Sequence, residues 1–149
     1  MEFDDPRNIR LKNFLFDSCK PWPFKHFTDD AERKELFDQL GLEDLRHDWT
    51  EIGASTVKEI LQIVFGLSLD DFTDEVKEGY YLESTDSYYY GGERTNSVFQ
   101  VTVCGVRELG NGNVEAYYTT KGSGLFAGFA TLKPVGDSYI VIANTDLEK

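Results

Sequence analysis

Residues 79–96 read GYYLESTDSYYYGGERTN, and five of the chain's eight tyrosines fall inside them. Tyrosine suits pleated, half-buried backbone, and the Ser84-Thr85-Asp86-Ser87 cluster between two tyrosine runs marks a turn. Two short strands are therefore expected to meet around Asp86. The alternation of a strand puts Tyr88 and Tyr90 on one face and Tyr89 on the other. Rings with hydroxyl handles serve a core edge, a sugar platform or a protein interface.

Toward the C-terminus the period stays at two. Ser97 to Val106 alternates, with Phe99, Val101 and Val103 on one side and Gln100 and Thr102 on the other; Val106 falls out of that register, so Gly105 marks a bulge. Leu109-Gly110-Asn111-Gly112-Asn113 carries the Asn-Gly pair that adopts the positive φ of tight hairpins. Val114 to Thr120 returns, and Ala127 to Val135 and Ser138 to Asn144 form another hairpin around Gly136-Asp137. This half is an antiparallel meander.

Toward the N-terminus the period is helical. Thr56-Val57-Lys58-Glu59 reads as a capping box, Val57, Ile60, Leu61 and Val64 make one apolar stripe, and Gly66 ends the helix. A short acidic turn follows at Leu67 to Phe72. Earlier, Thr28 caps a helix that buries Leu36, Phe37 and Leu40 and stops at Gly41. Asp5-Pro6 starts another, with Leu11, Phe14 and Leu15 on one face and an end near Cys19. The prolines of Lys20-Pro21-Trp22-Pro23 make an extended corner after it.

The whole predicts an α+β fold, with N-terminal helices packed on a C-terminal antiparallel meander. At 149 residues, 40% of them hydrophobic, one core suffices, so a single domain over 1–149 is expected, mainly helical over 1–75 and mainly sheet over 76–149. The helical stripe is expected to pack on Phe99, Val101, Val103, Ile140 and Ile142. A cone-shaped NTF2-like domain, in which helices cover a strongly curved sheet and enclose a pocket, is the alternative.

A net charge of −12, from 27 acidic against 15 basic residues, disfavours nucleic acid and anionic membrane surfaces as partners. Residues 1–75 carry net −9 of it. No window reaches membrane-spanning length. Met1 leads into Glu2, Asp4 and Asp5 rather than a basic and then apolar run, which fits a cytoplasmic protein and equally an extracytoplasmic one whose leader has been removed. Cys19 and Cys104 permit one disulfide, but a core of this size needs none, so two free, mostly buried thiols are expected.

Signals for chemistry are sparse. His26 and His47 stand 21 positions apart and form no metal-binding pair, so neither a metal nor another cofactor is expected. Cys104, set in a strand, has no base that the sequence can place beside it. Gly122-Ser123-Gly124 with Gly128 leads into a strand, where phosphate capture needs a helix N-terminus. Asp70, Asp71, Asp74 and Glu75 lack the ligand spacing of a calcium loop. The candidate contact residues are therefore Tyr81, Asp86, Tyr88, Tyr89, Tyr90, Glu93 and Arg94, with Asp70 and Asp71 as steering charges. Carboxylates beside rings also suit sugar binding or hydrolysis, although hydrolysis needs two carboxyls at a set separation.

The run VKEILQIVFGLSLDDF, then YYLESTDSYYY, a strand, a Gly-Asn hairpin and a final strand pair ending YIVIANT resembles small α+β domains of cell-envelope and secreted proteins in Gram-positive bacteria. Within that group it is similar to the inhibitors of cell-wall DL-endopeptidases, over residues 56–145. The resemblance implies a non-catalytic binding domain that occupies an envelope hydrolase. A monomer that binds another protein or a carbohydrate of the cell wall is the expectation; the alternative is an NTF2-like domain that binds or transforms a small molecule.

Overall fold

The computed structural model describes residues 2–11, 14–15, 25–26, 30–41, 49–72, 80–91, 100–121 and 126–147. They form an α+β fold with two four-stranded antiparallel sheets. One has the order β1-β2-β4-β3, from Lys25–His26, Trp49–Gly53, Ser87–Gly91 and Tyr80–Leu82. The other is the sequential meander β5-β6-β7-β8, from Gln100–Glu108, Val114–Lys121, Phe126–Val135 and Ser138–Leu147. Among the described residues the strands thus divide between two sheets. The chain falls into two compact units, one of Arg10–Glu59 and Thr73–Thr95 and one of Met1–Ile9, Ile60–Phe72 and Asn96–Lys149.

In the unit that holds the tyrosine hairpin, helix α1 spans Asp30–Leu40 and ends at Gly41, whose φ of +64° favours glycine. Leu36 and Phe37 are buried as their spacing predicts, and they pack with Leu82 and Tyr89 of the hairpin. Two polar links tie the same elements: Ser84 Oγ donates to Glu35 at 3.0 Å, and Gln39 Nε2 donates to the Tyr81 carbonyl at 3.3 Å. Strand β2 lies in the half expected to be helical. Its alternation of Trp49, Thr50, Glu51 and Ile52 is short and half polar, and pairing with β4, Ile52 opposite Tyr88, is what selects it. Thr28 lies outside the described residues.

Helix α2, Ala54–Phe65, starts two residues before the expected Thr56 cap. Its first amide, on Ala54, donates to the Asp86 carbonyl at 2.8 Å, so the hairpin turn satisfies a group that a side-chain cap would otherwise serve. The helix runs from this unit into the other, where Ile60, Leu61 and Phe65 are buried.

There Gly66, at φ +67°, ends α2 against β8: a Cβ added at this glycine would stand 3.1 Å from Ile140 Cδ1. Phe65 meets Phe3 edge to face at 6.0 Å, and Phe3 exchanges two backbone hydrogen bonds of 2.8 Å with Asn144. Val101 and Val103, expected beneath the helix, are instead 61% and 59% exposed. The strand order gives the reason. Helix α2 ends at β8, and β5 lies three strands away at the opposite edge, roughly 14 Å across the sheet. Phe99 lies outside the described residues.

The meander's punctuation follows the sequence. Register slips between Val103 and Gly105, which makes Cys104 the extra residue of the bulge. The Leu109 amide donates to the Asn113 carbonyl at 2.8 Å, with Gly112 at φ +84°. Cys104 is a free thiol and exposed, against the expectation of burial, because it sits on the edge strand; Cys19 lies outside the described residues. At the N-terminus Asp5 Oδ1 accepts from the Arg7 amide at 2.9 Å, but only one 3-10 turn, Pro6–Asn8, follows before Ile9 turns extended. The helix expected from Pro6 toward Cys19 is therefore interrupted at Ile9, but helical backbone resumes at Leu11 and at Phe14 and Leu15, where the Phe14 amide donates to the Arg10 carbonyl at 3.0 Å, and Leu11 and Leu15 are buried as their spacing predicts.

Candidate functional site

Strands β3 and β4 are joined by residues 83–86, with the Asp86 amide donating to the Glu83 carbonyl at 3.3 Å. Asp86 takes φ +47°, a left-handed conformation that aspartate tolerates better than most residues. The turn sets the register, and the register sets the rings: Tyr81 lies opposite Tyr88, and Tyr80 opposite Tyr89.

Tyr81 and Tyr88 meet at 5.1 Å between ring centroids with planes 48° apart, a favourable tilted pair. Tyr81 Oη donates to Asp86 Oδ1 at 2.8 Å. That bond, ahead of desolvation and the nearby Asp86 and Glu83 charges, holds the phenol above its usual pKa. Tyr81 is 40% exposed and Tyr88 half-buried, so the pair forms part of the surface.

Tyr89 faces the other way. It is fully buried, its hydroxyl 2.8 Å from Thr85 Oγ1, and it serves the core rather than a contact surface. Ser87 beside it is buried too and donates to Glu51 at 2.9 Å. Tyr90 pairs with Thr50 through the backbone, and its side chain lies outside the description. Glu93 and Arg94 lie outside the described residues.

Asp70 and Asp71 occupy a 3-10 turn, Leu69–Asp71, in the other unit. Asp70 is exposed. Asp71 Oδ2 accepts from the Ser68 amide at 2.7 Å and from Ser68 Oγ at 2.9 Å, and these bonds hold its carboxyl below the usual range. Its first task is thus to cap the turn. The structure therefore brings together Tyr81, Asp86 and Tyr88, and adds Glu83, which the sequence reading passed over although it stands two residues after Tyr81 and three before Asp86.

A second polar cluster went unforeseen. On the meander, Glu115 is buried, paired with Arg107 at 2.7 Å and accepting from Tyr117 Oη, whose phenol is held above its usual pKa chiefly by that bond. The signal was available: a hairpin closed at Leu109 and Asn113 places Arg107 opposite Glu115. Nearby, Tyr118 Oη donates to Asn144 at 3.0 Å while its ring lies against Gly128, so that glycine packs under an aromatic ring in mid-strand.

Among the described residues, no three His, Cys, Asp or Glu side chains are grouped to hold a metal ion, and no helix is long and apolar enough to cross a membrane. The Tyr81–Tyr88 surface offers aromatic faces, a fixed phenol and exposed carboxylates, which suits recognition. Compared with protein-family models, curated proteins and solved structures, the chain has no match.

Proposed function

We propose that this protein is a non-catalytic binding domain and that the Tyr81–Tyr88 surface, with Asp86 at its turn, is part of what it presents to a partner. A protein inhibitor of a cell-envelope hydrolase is the specific form of this reading, suggested by the resemblance over residues 56–145. The supporting observation is the division of labour within one hairpin. Tyr89 anchors the fold, while exposed Tyr81 and half-buried Tyr88 form a tilted ring pair in which a hydrogen bond to Asp86 holds the Tyr81 phenol. A pre-oriented tyrosine pair contributes contact area without a large loss of side-chain freedom, and tyrosine is enriched among residues that dominate binding.

Capture from the source organism's extract tests this. Wild type is compared with Tyr81→Ala and Tyr88→Ala variants whose circular dichroism matches the parent. A partner retained by wild type and lost by both variants supports the reading, and equal retention by all three removes the hairpin from the interface. Substrate turnover abolished by Asp86→Asn in a folded protein would replace binding with catalysis.

A further inference from the structure

The residues that frame the ring pair carry a charge of one sign. Residues 80–91 contain two ionisable carboxylates, Glu83 and Asp86, and no lysine or arginine. Both are exposed, and both act electrostatically on Tyr81. Asp86 engages Tyr81 through Oδ1 at 2.8 Å, and among the described residues its Oδ2 takes no hydrogen bond. The Tyr81 and Tyr88 rings stand 5.1 Å apart with planes at 48°, Tyr81 exposed and Tyr88 half-buried, and aromatic ring faces are electron-rich.

A cation is the ligand group that satisfies all of these features at once. It gains from the ring quadrupoles and from two nearby carboxylates. A neutral sugar would stack on the rings and donate hydroxyls to the carboxylates but would gain nothing from their negative charge, and an anionic group would be repelled. We infer that the Tyr81–Tyr88 ring pair, flanked by Asp86 and Glu83, receives a lysine or arginine side chain from a basic surface of a partner protein. This rests on the proposed binding function and names the chemistry of the partner. The overall charge of −12 acts in the same direction, by steering a basic partner toward the domain from a distance.

The test uses the full chain at physiological ionic strength, with calorimetric titration of three pentalysine peptides: unmodified, Nζ-acetylated and Nζ-trimethylated. A neutral chitin hexasaccharide is titrated in parallel. Pentalysine and its trimethylated form are expected to bind and the acetylated form to fail, since trimethylation keeps the charge and acetylation removes it. Tyr81→Leu and Tyr88→Leu, which alter no charge, should each weaken pentalysine about two- to fivefold, the factor expected of one exposed cation–ring contact. Tyr139→Leu, at an exposed tyrosine of the other sheet, should leave it unchanged.

Equal pentalysine affinity for wild type and both hairpin variants overturns the inference, because the attraction is then net charge alone. Ring-dependent binding of the hexasaccharide without ring-dependent pentalysine binding also overturns it, yet leaves the hairpin as the contact surface. Should Tyr88→Leu fail to fold, Tyr81→Leu decides the matter, with Tyr81→Phe, which keeps the ring and loses the Asp86 bond, expected to retain most of the affinity.

Discussion

Replacing Tyr89 by alanine and by phenylalanine separates the structural tyrosine from the surface ones. Tyr89 is fully buried and packs with Leu36, Phe37 and Leu82, so truncation to alanine removes a whole ring from a core that α1 and the hairpin close from two sides. Loss of a buried aromatic ring costs about 3 to 5 kcal/mol. Phenylalanine keeps the ring and loses only the bond to Thr85 Oγ1, which also donates to the Leu82 carbonyl at 3.4 Å and so is not left without a partner. That change should cost about 0.5 to 1.5 kcal/mol. For Tyr81→Ala, where the side chain is already 40% exposed, the loss is the tilted ring pair, worth about 0.5 to 1.5 kcal/mol. Urea denaturation followed by far-ultraviolet circular dichroism measures all three. The expected order is Tyr89→Ala far below the other two. A Tyr89→Ala protein within about 0.5 kcal/mol of the parent, the range of ordinary surface substitutions, would refute the placement of this ring in the core.

Three further outcomes follow from single positions. Gly128→Ala should destabilise by about 1 to 3 kcal/mol, because its Cβ would fall 2.7 Å from the Thr145 carbonyl oxygen, whereas Gly105→Ala, with nothing within 4 Å, should melt close to the parent. Cys104, free and exposed, should react with a thiol reagent in the native protein, and reductant should leave the melting temperature unchanged; a large drop on reduction would mean that a disulfide supports the fold. Asp71 has a folded pKa depressed below its ordinary 3.8 by the Ser68 bonds, so its contribution is present above that value and is lost as pH falls through the lower folded one. Carboxyl resonances followed by NMR through an acid titration should show Asp71 titrating below its ordinary 3.8 in the folded protein, as should Asp5, which Arg7 also holds low.

Local signals in the sequence were read well where the chain solves its own backbone problem. Gly41, Gly66 and Gly112 all take positive φ at the ends and turns where they were expected, and the bulge falls one residue from Gly105. Misreadings came where tertiary partners decide. Thr56 looks like a cap, yet the Asp86 carbonyl, 30 positions away, receives the first amide of α2 and moves the start to Ala54. Strand β2 has too little apolar alternation to stand alone, and only pairing with β4 defines it. Val101, Val103 and Val106 have the composition of a core strand, but no pattern within one strand tells which edge of the sheet a helix will cover.

The candidate site shows the same limit in sharper form. Alternation alone separates Tyr88 from Tyr89, and the structure assigns the faces: Tyr89 packs with α1, while Tyr88 pairs with Tyr81 on the opposite face, where its cross-strand neighbour Ile52 is also fully buried. Because those faces are opposite sides of a single strand, a change at Tyr88 does not open a cavity beside Leu36 and Phe37. The hairpin can therefore vary its outer rings and its two carboxylates for a partner while Tyr89 keeps the register. If binding resides here, substitutions at Tyr81, Glu83, Asp86 and Tyr88 should move affinity far more than stability, and substitutions at Tyr89 and Ser87 the reverse.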